Sequence, residues 1–454
     1  MATYLLKRLL GSPFRALKTI LTLALLYSLL LLFAFPYGNP HRDRLVFQLS
    51  RPFAPTPATV DHWLVSSPAA FPVNWTTDVG IIVKTGYGTQ HRVQAWLDAA
   101  RDVESEVLLI ADYASKPGQE FRHQGKKLEV HDVVGGMLAD GALSGKDLTT
   151  SRVAKYLSLD RAIKAGNSMR AESLSQEFGW ELDAMKFIPG VELAWKMMPD
   201  KKWYLLLDDD TYIVRPSLSL LLDRLDPDEK HYIGNAIGGV YGRFAHGGSG
   251  VIISRGAMRH LLSPKNEKVI LAAKKESVTE TYGDRMLALA FLRVGIDITE
   301  TYTRYFNGER PITTKIRTDR FCAPIFSFHQ HAQPEDMRAT GNTFREINTT
   351  VRWLDVWKMC GAPSLVGWAA RPMVDGWDHV GRLDEHTYTA KHVMKAEACL
   401  EMCLRRGKEC LAWTWVEHAK ECNMSPWMIV GETAPDKITG VNFALAQKLA
   451  EECT

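Results

Sequence analysis

The chain has 454 residues, of which 46% are hydrophobic and 24% charged, enough to bury one large core and leave material for a smaller module. Lys and Arg total 55 against 52 Asp and Glu, a net charge of +3, so there is no long-range positive field to favour nucleic acid, and no nucleic-acid partner is expected.

The first element is the run Thr19 to Tyr37 (TILTLALLYSLLLLFAFPY), nineteen residues without a charge, about the span of a bilayer core. Lys7, Arg8, Arg15 and Lys18 precede it with no acid among them. By the positive-inside rule this predicts a cytoplasmic N-terminus, with everything after the run on the far side of the membrane. The run exceeds the apolar core of a cleaved signal peptide and no A-x-A-like site follows it, so an anchor of type II topology is expected. All seven cysteines then face an oxidising compartment where they can pair. The sequons at Asn74, Asn348 and Asn423 agree with that side.

Residues 38 to 75 hold Pro40, Pro52, Pro55, Pro57, Pro68 and Pro72 with little hydrophobic periodicity, the composition of an extended spacer. From Asp78 the texture changes. Val79 to Val83 reads as a strand, His91 to Ala100 as a helix with Val93, Trp96, Leu97 and Ala100 on one face, and Val107 to Ile110 as a second strand. Strand, helix and strand in this order predict a parallel α/β sheet with its ligand site at the carboxyl ends of the strands. The helix-like stretch 180–198 contains Pro189 and Gly190 and is expected to break there. Trp203 to Leu207 and Val251 to Ile253 are further apolar strands, and residues 284–294 (DRMLALAFLRV) a further amphipathic helix. No internal repeat or low-complexity tract is present.

The strand Trp203 to Leu207 exits into Asp208-Asp209-Asp210. Three adjacent carboxylates repel one another, and burial would raise their pKa values unless a cation neutralises them. In extended backbone Asp208 and Asp210 share a face and could hold one hard cation, Mn²⁺ or Mg²⁺, through oxygen. Such an ion could bridge the two phosphates of a nucleotide diphosphate. A solvated Asp-rich turn would give the same string. Gly247, Gly248 and Gly250 precede a strand, where missing side chains let backbone approach a sugar or simply form a bulge. They lack the Gly-Lys-Ser/Thr ending of a Walker loop, and Gly86-Tyr87-Gly88 lacks the third glycine of the dinucleotide fingerprint.

WYLLLDDDTYIVRPSL, preceded by GWELDAMKFIPGVELAW, resembles the metal-binding region of glycosyltransferase family 31, the group of Fringe and the core 1 β1,3-galactosyltransferases. IIVKTGYGTQHRVQAWL, FAHGGSGVIIS, YGDRMLALAFLRVGI and FCAPIFSFHQH match in the same order, over residues 79–331. The resemblance implies a GT-A fold, a UDP-sugar donor, inversion at the sugar carbon and a β1,3 linkage. It implies Asp208, Asp210 and His329 as metal ligands, with His331 as the alternative to His329. Thr85, Asp112, Asp209, Gly247 and Gly248 are the candidate donor contacts, the first two toward the uridine. Inversion needs one base at the acceptor oxygen, and Asp284 is the candidate. The family usually has Glu-Asp where this chain has Gly283-Asp284, and Asp284 could instead be a helix-capping residue.

From about Arg371 the composition shifts to cysteine and tryptophan, as in a disulfide-stapled module. Cys399-x3-Cys403-x6-Cys410-x11-Cys422, with GWDHVG upstream and CLAWTW at the third cysteine, resembles a PAN/apple module. That resemblance implies binding of protein or carbohydrate, and pairing of Cys399 with Cys422 and Cys403 with Cys410. Spacing alone leaves three connectivities open, and a zinc site is the competing reading. Partners for Cys322, Cys360 and Cys453 are not evident.

The expected organisation is a cytoplasmic tail (1–18), anchor (19–37), stem (38–75), GT-A-type α/β domain (76–350), linker (351–370) and a small disulfide-rich α+β module (371–454). The function this implies is a metal-dependent transfer of a hexose or N-acetylhexosamine from a UDP-sugar to a glycan or glycoprotein hydroxyl in the Golgi or ER lumen. The alternative is a membrane-tethered carbohydrate- or protein-binding protein on an inactive scaffold. A glycoside hydrolase would need two carboxylates flanking a sugar, which the sequence does not present.

Overall fold

The structure, a computed structural model, describes residues 13–101, 105–115, 119–239, 242–362 and 372–453. The expected tail as far as residue 12 and the linker residues 363–370 lie outside the described residues.

Helix α1 (Pro13–Ala34) contains the stretch Ala16–Ala34, nineteen residues of mean hydropathy 2.1, long and apolar enough to cross a membrane. It stops short of Tyr37 because Phe35 precedes Pro36, and a residue before proline disfavours helical backbone. The stem differs from the extended spacer expected. It forms helices α2 (Pro40–Ser50) and α3 (Pro57–Ser66). Pro40 and Pro57 sit in first helical turns, where the missing N–H is one of the groups left unpaired in any case. The Asn39 carboxamide accepts from the His41 and Arg42 amides, and the Thr56 hydroxyl accepts from the Thr59 amide. Val60 and Leu64 of α3 are buried, and Asp61 accepts from the Tyr305 hydroxyl at 2.6 Å and pairs with Arg304 at 2.5 Å. A cavity of about 830 Å³ lies between α2 and residues 292–304, and none of the acidic triplet lines it.

The central sheet comprises β1 (Val79–Lys84), β2 (Glu106–Ala111), β3 (Val130–Asp132), β4 (Trp203–Asp208), β5 (Tyr232–Gly234) and β6 (Val251–Ser254). Their order is β3-β2-β1-β4-β6-β5, the first four parallel and the last two antiparallel to their neighbours. Both faces are covered. Ile81, Val83, Leu205 and Leu207 enter one hydrophobic layer, and Ile82, Tyr204 and Leu206 the other, which is why WYLLL shows no polar alternation. In register, Lys84 stands beside Asp208.

The expected break at Pro189-Gly190 falls earlier. One helix ends at Asp183, Ala184–Lys186 form a turn, and the next helix runs Phe187–Met197 with Pro189 in its first turn. Proline is tolerated there for the same reason as in the stem.

At the C-terminal end five antiparallel strands follow the order Val374–Asp378, Glu432–Val441, Ala412–Val416, Glu421–Ser425, Tyr388–Ala390. Helix Ala396–Arg406 buries Cys399 and Cys403, which bond to Cys422 and Cys410, the pairing the resemblance implied. A third disulfide joins Cys322 to Cys453 across 131 residues, and Cys360 is free. Asn423 is buried in its strand, where its side-chain oxygen accepts from the Thr389 hydroxyl, while Asn74 and Asn348 are exposed.

Candidate active site

The site begins where β4 ends. Asp208 is its last residue, a turn carries Asp209 and Asp210, and the short strand Tyr212–Ile213 pairs with Ser327–Phe328. That pairing brings His329 to the triplet. His329 Nε2 lies 3.1 Å from Asp210 Oδ1, and one ligand atom each from Asp208, Asp210 and His329 falls within 4.8 Å of the others. Burial alone would lower the His329 pKa, yet the hydrogen bond and charge of Asp210 hold it above the ordinary imidazole value. Burial likewise works against the charge on Asp210, but His329 and then Arg92 hold its carboxyl down to about 2.

The three residues fit a divalent cation. Their donors are two carboxylates and an imidazole, suited to Mn²⁺ or Mg²⁺. Asp208 Oδ1 is buried without a hydrogen bond. Lys84 Nζ approaches it to 2.7 Å, an ion pair out of hydrogen-bonding alignment, so this oxygen keeps lone pairs for a further positive partner. His331 offers no such capacity. Its Nδ1 lies 2.8 Å from the Asp210 carbonyl oxygen and its Nε2 2.9 Å from Thr340 Oγ1. It braces the turn, and of the two histidines in SFHQH only His329 faces the carboxylates.

Asp209 points inward. Its Oδ2 accepts from Thr85 Oγ1 at 2.6 Å, and burial, followed by repulsion from Asp210, pushes its pKa up to about 6. Asp112, 1% exposed, accepts from the Tyr87 amide at 3.0 Å and pairs with Lys186 at 3.0 Å. Thr85 and Asp112 therefore sit at the carboxyl ends of β1 and β2, as expected of a ligand site, but their polar atoms are engaged within the protein. Both side chains are buried.

Asp284 is the second residue of helix Gly283–Arg293 and not its N-cap, which is Tyr282. Its Oδ2 accepts from the Gly247 amide at 2.9 Å and its Oδ1 from the Arg285 amide at 2.8 Å. Burial raises its pKa to about 6 despite these bonds. The glycine loop thus links two parts of the site, since Gly247 bonds Asp284 while Gly248 lies against His329. The departure at Gly283 also has a physical cause: a Cβ there would stand 2.3 Å from the Phe187 ring and 2.8 Å from Ala184 Cα.

Several residues escaped the sequence reading. Lys84, fully buried, holds Asp208 on one side and both oxygens of Asp183 on the other, at 2.7 and 2.8 Å, and these acids raise its pKa against the effect of burial. Lys186 continues the alternation from Asp183 to Asp112. Arg92 stands 3.4 Å from Asp210 and 3.6 Å from Asp209. His246 meets the His329 ring edge-on at 5.5 Å between centroids. The one local signal was a lysine ending an otherwise apolar strand, which demands a buried counter-charge.

Residues 189–357 match the family model described as Fringe, Fringe-like, a glycosyltransferase family. The matched region contains the acidic triplet, Gly247, Gly248, Asp284 and His329, whereas Thr85, Arg92 and Asp112 lie before it. This stretch of the chain is thus similar to a Fringe-like glycosyltransferase domain. No curated protein matches the chain.

Proposed function

We propose that this protein is an inverting, metal-dependent GT-A glycosyltransferase that moves a hexose or N-acetylhexosamine from a UDP-sugar to a hydroxyl of a glycan or glycoprotein, forming a β1,3 linkage. The observation that carries the reading is the convergence of Asp208, Asp210 and His329, from two separate elements, on one point within a Fringe-like domain. The apolar N-terminal helix supports a type II placement in the Golgi or ER membrane, with the site on the lumenal side.

Asp208, Asp210 and His329 would hold Mn²⁺ or Mg²⁺. Bound there, the ion would tie the donor's phosphates together and offset the charge on departing UDP. Arg92 adds positive charge at the same edge, and Lys84 keeps Asp208 in place. Asp284 is poised as the base, because a carboxylate with a pKa near 6 is mostly ionised at neutral pH and still basic enough to take a proton. The acceptor hydroxyl passes its proton to a free lone pair of Asp284 as its oxygen bonds the sugar's anomeric carbon. The anomeric carbon's bond to the diphosphate oxygen breaks on the opposite face, giving inversion. Thr85, Asp112 and Asp209 shape the floor beneath the nucleotide, and Gly247 and Gly248 let backbone face the sugar.

The test is to incubate the full-length protein in detergent with Mn²⁺, a panel of UDP-sugars and glycan or peptide acceptors, and to measure UDP release. Turnover dependent on Mn²⁺ and lost in Asp210→Ala supports the reading. Absence of both donor binding and turnover would remove it.

A further inference from the structure

His329 is held from two sides. On one, Ser327–Phe328 pairs with Tyr212–Ile213. On the other, the segment Gly308–Thr314 folds over it. The His329 amide donates to the Glu309 carbonyl oxygen at 3.1 Å, and its Nδ1 lies 3.4 Å from the Gly308 carbonyl oxygen. The Asn307 carboxamide closes this segment by donating to Glu309 O at 2.6 Å and to Thr314 Oγ1 at 2.9 Å.

The outer edge of the same segment is fastened to the cysteine-rich module. The Gly431 amide donates to the Ile312 carbonyl oxygen at 2.9 Å, and Arg310 pairs with Glu432. Lys315 Nζ lies 2.8 Å from Asp384 and 4.2 Å above the Trp427 ring. Ile316–Arg317 forms an antiparallel ladder with Trp427–Met428, and the Thr318 amide donates to the Pro426 carbonyl oxygen at 3.1 Å. The disulfide Cys322–Cys453 closes the far end. Thus main-chain, ionic and covalent links from one module converge on the fifteen or so residues that carry the two carbonyls gripping His329. A module used only to capture an acceptor would need no such seam.

We propose that the C-terminal module is a brace for the metal site. It fixes the 308–322 segment, and through the Glu309 and Gly308 carbonyls it sets the position and tautomer of His329, a positioning role of the kind outer partners of ligating histidines play. This rests on reading His329 as a ligand. The affinity that depends on the module is then that for metal and donor, and the acceptor's KM is independent of it.

The test uses the full chain and the double variant Asp384→Ala, Glu432→Ala, whose partly exposed side chains touch neither the triplet nor His329, with Cys453→Ser as a second variant. Two readouts are needed: the Kd for Mn²⁺ in the presence of UDP, by electron paramagnetic resonance of free Mn²⁺, and hydrogen exchange at backbone amides 305–331. The brace predicts a roughly tenfold weaker Mn²⁺ Kd, at least tenfold faster exchange at His329, and unchanged exchange in β1. Unchanged exchange at His329, or faster exchange with the Mn²⁺ Kd unmoved, overturns it. So does a raised acceptor KM with metal and donor affinity intact. If the unsubstituted chain binds no Mn²⁺, the metal reading fails and the affinity claim with it, while exchange still decides whether the module holds the segment.

Discussion

The Gly248 α-carbon faces the His329 imidazole so closely that a Cβ added there would stand 2.3 Å from ring atoms Cε1 and Nε2. The glycine string is therefore explained in part by packing inside the protein, where the ring that faces Asp210 needs the space. Gly248→Ala should push His329 off Asp210, destabilise the fold by about 1–3 kcal/mol and weaken Mn²⁺ binding. Thermal denaturation and Mn²⁺ titration of the variant check both effects together.

Asp210 is the carboxylate that both His329 and Arg92 approach. Asp210→Ala should reduce turnover by more than about a hundredfold, beyond what loss of an outer partner causes, and abolish Mn²⁺ binding. Asp209→Ala should instead act through Thr85 and the loop after β1, with Mn²⁺ binding retained. Comparing Mn²⁺ Kd values for the two variants separates ligand from floor.

Asp284 gives a pH dependence whose sign is fixed. A base must be ionised, so kcat/KM should rise as pH increases through about 6 and fall away below it. For stability the sign is opposite. A folded pKa raised above the unfolded value of 3.8 means that the native state binds the proton more tightly, so a penalty is absent below pH 3.8 and complete above about 6. Asp284→Asn should therefore be more stable at neutral pH by roughly 1–2 kcal/mol, part of the gain being offset because an amide oxygen replaces only one of two acceptors. Its turnover should fall by about 10²–10⁴ with donor affinity kept. Denaturant unfolding at pH 5 and pH 8, beside kinetics, tests the pair of effects.

Lys84 is buried between Asp183 and Asp208. Lys84→Met takes the close cation from Asp208 and leaves Asp183 only the longer pair with Lys186 at 3.7 Å, and should destabilise the protein by about 3–5 kcal/mol. Adding Asp183→Asn should recover part of that loss in the same urea titration.

The cysteines offer a covalent check. Six are bonded and Cys360 is free, with burial raising its thiol to about 12. Alkylation at pH 8 should be slow in the native protein and label Cys360 alone after unfolding without reductant. Peptide mapping should recover Cys322 linked to Cys453, and reduction should lower stability by several kcal/mol in view of the long loop closed.

Local chemistry made much of this protein readable before any coordinates. An unbroken apolar run needs a bilayer or a core, WYLLL needs cover on both faces, and three adjacent carboxylates, once buried, need positive partners, which Lys84 and Arg92 supply in part. The module's two local disulfides came with the family likeness, since spacing left three connectivities open. Prolines misled where composition stood in for position, because a proline at the first turn starts a helix as readily as it interrupts one elsewhere.

Contacts between residues far apart in the chain were decided only by the fold. Register alone sets Lys84 beside Asp208, and a two-residue strand pair brings the His329 ring to the Asp210 carboxylate. Phe187 fills the space that a side chain at 283 would take. Cys322 finds Cys453 because the last helix, Phe443–Glu451, returns to the α/β domain. Sequence fixes which groups cannot be left in water or left unpaired, a local matter of charge and area, whereas the choice of partner depends on which surfaces the closed chain brings together.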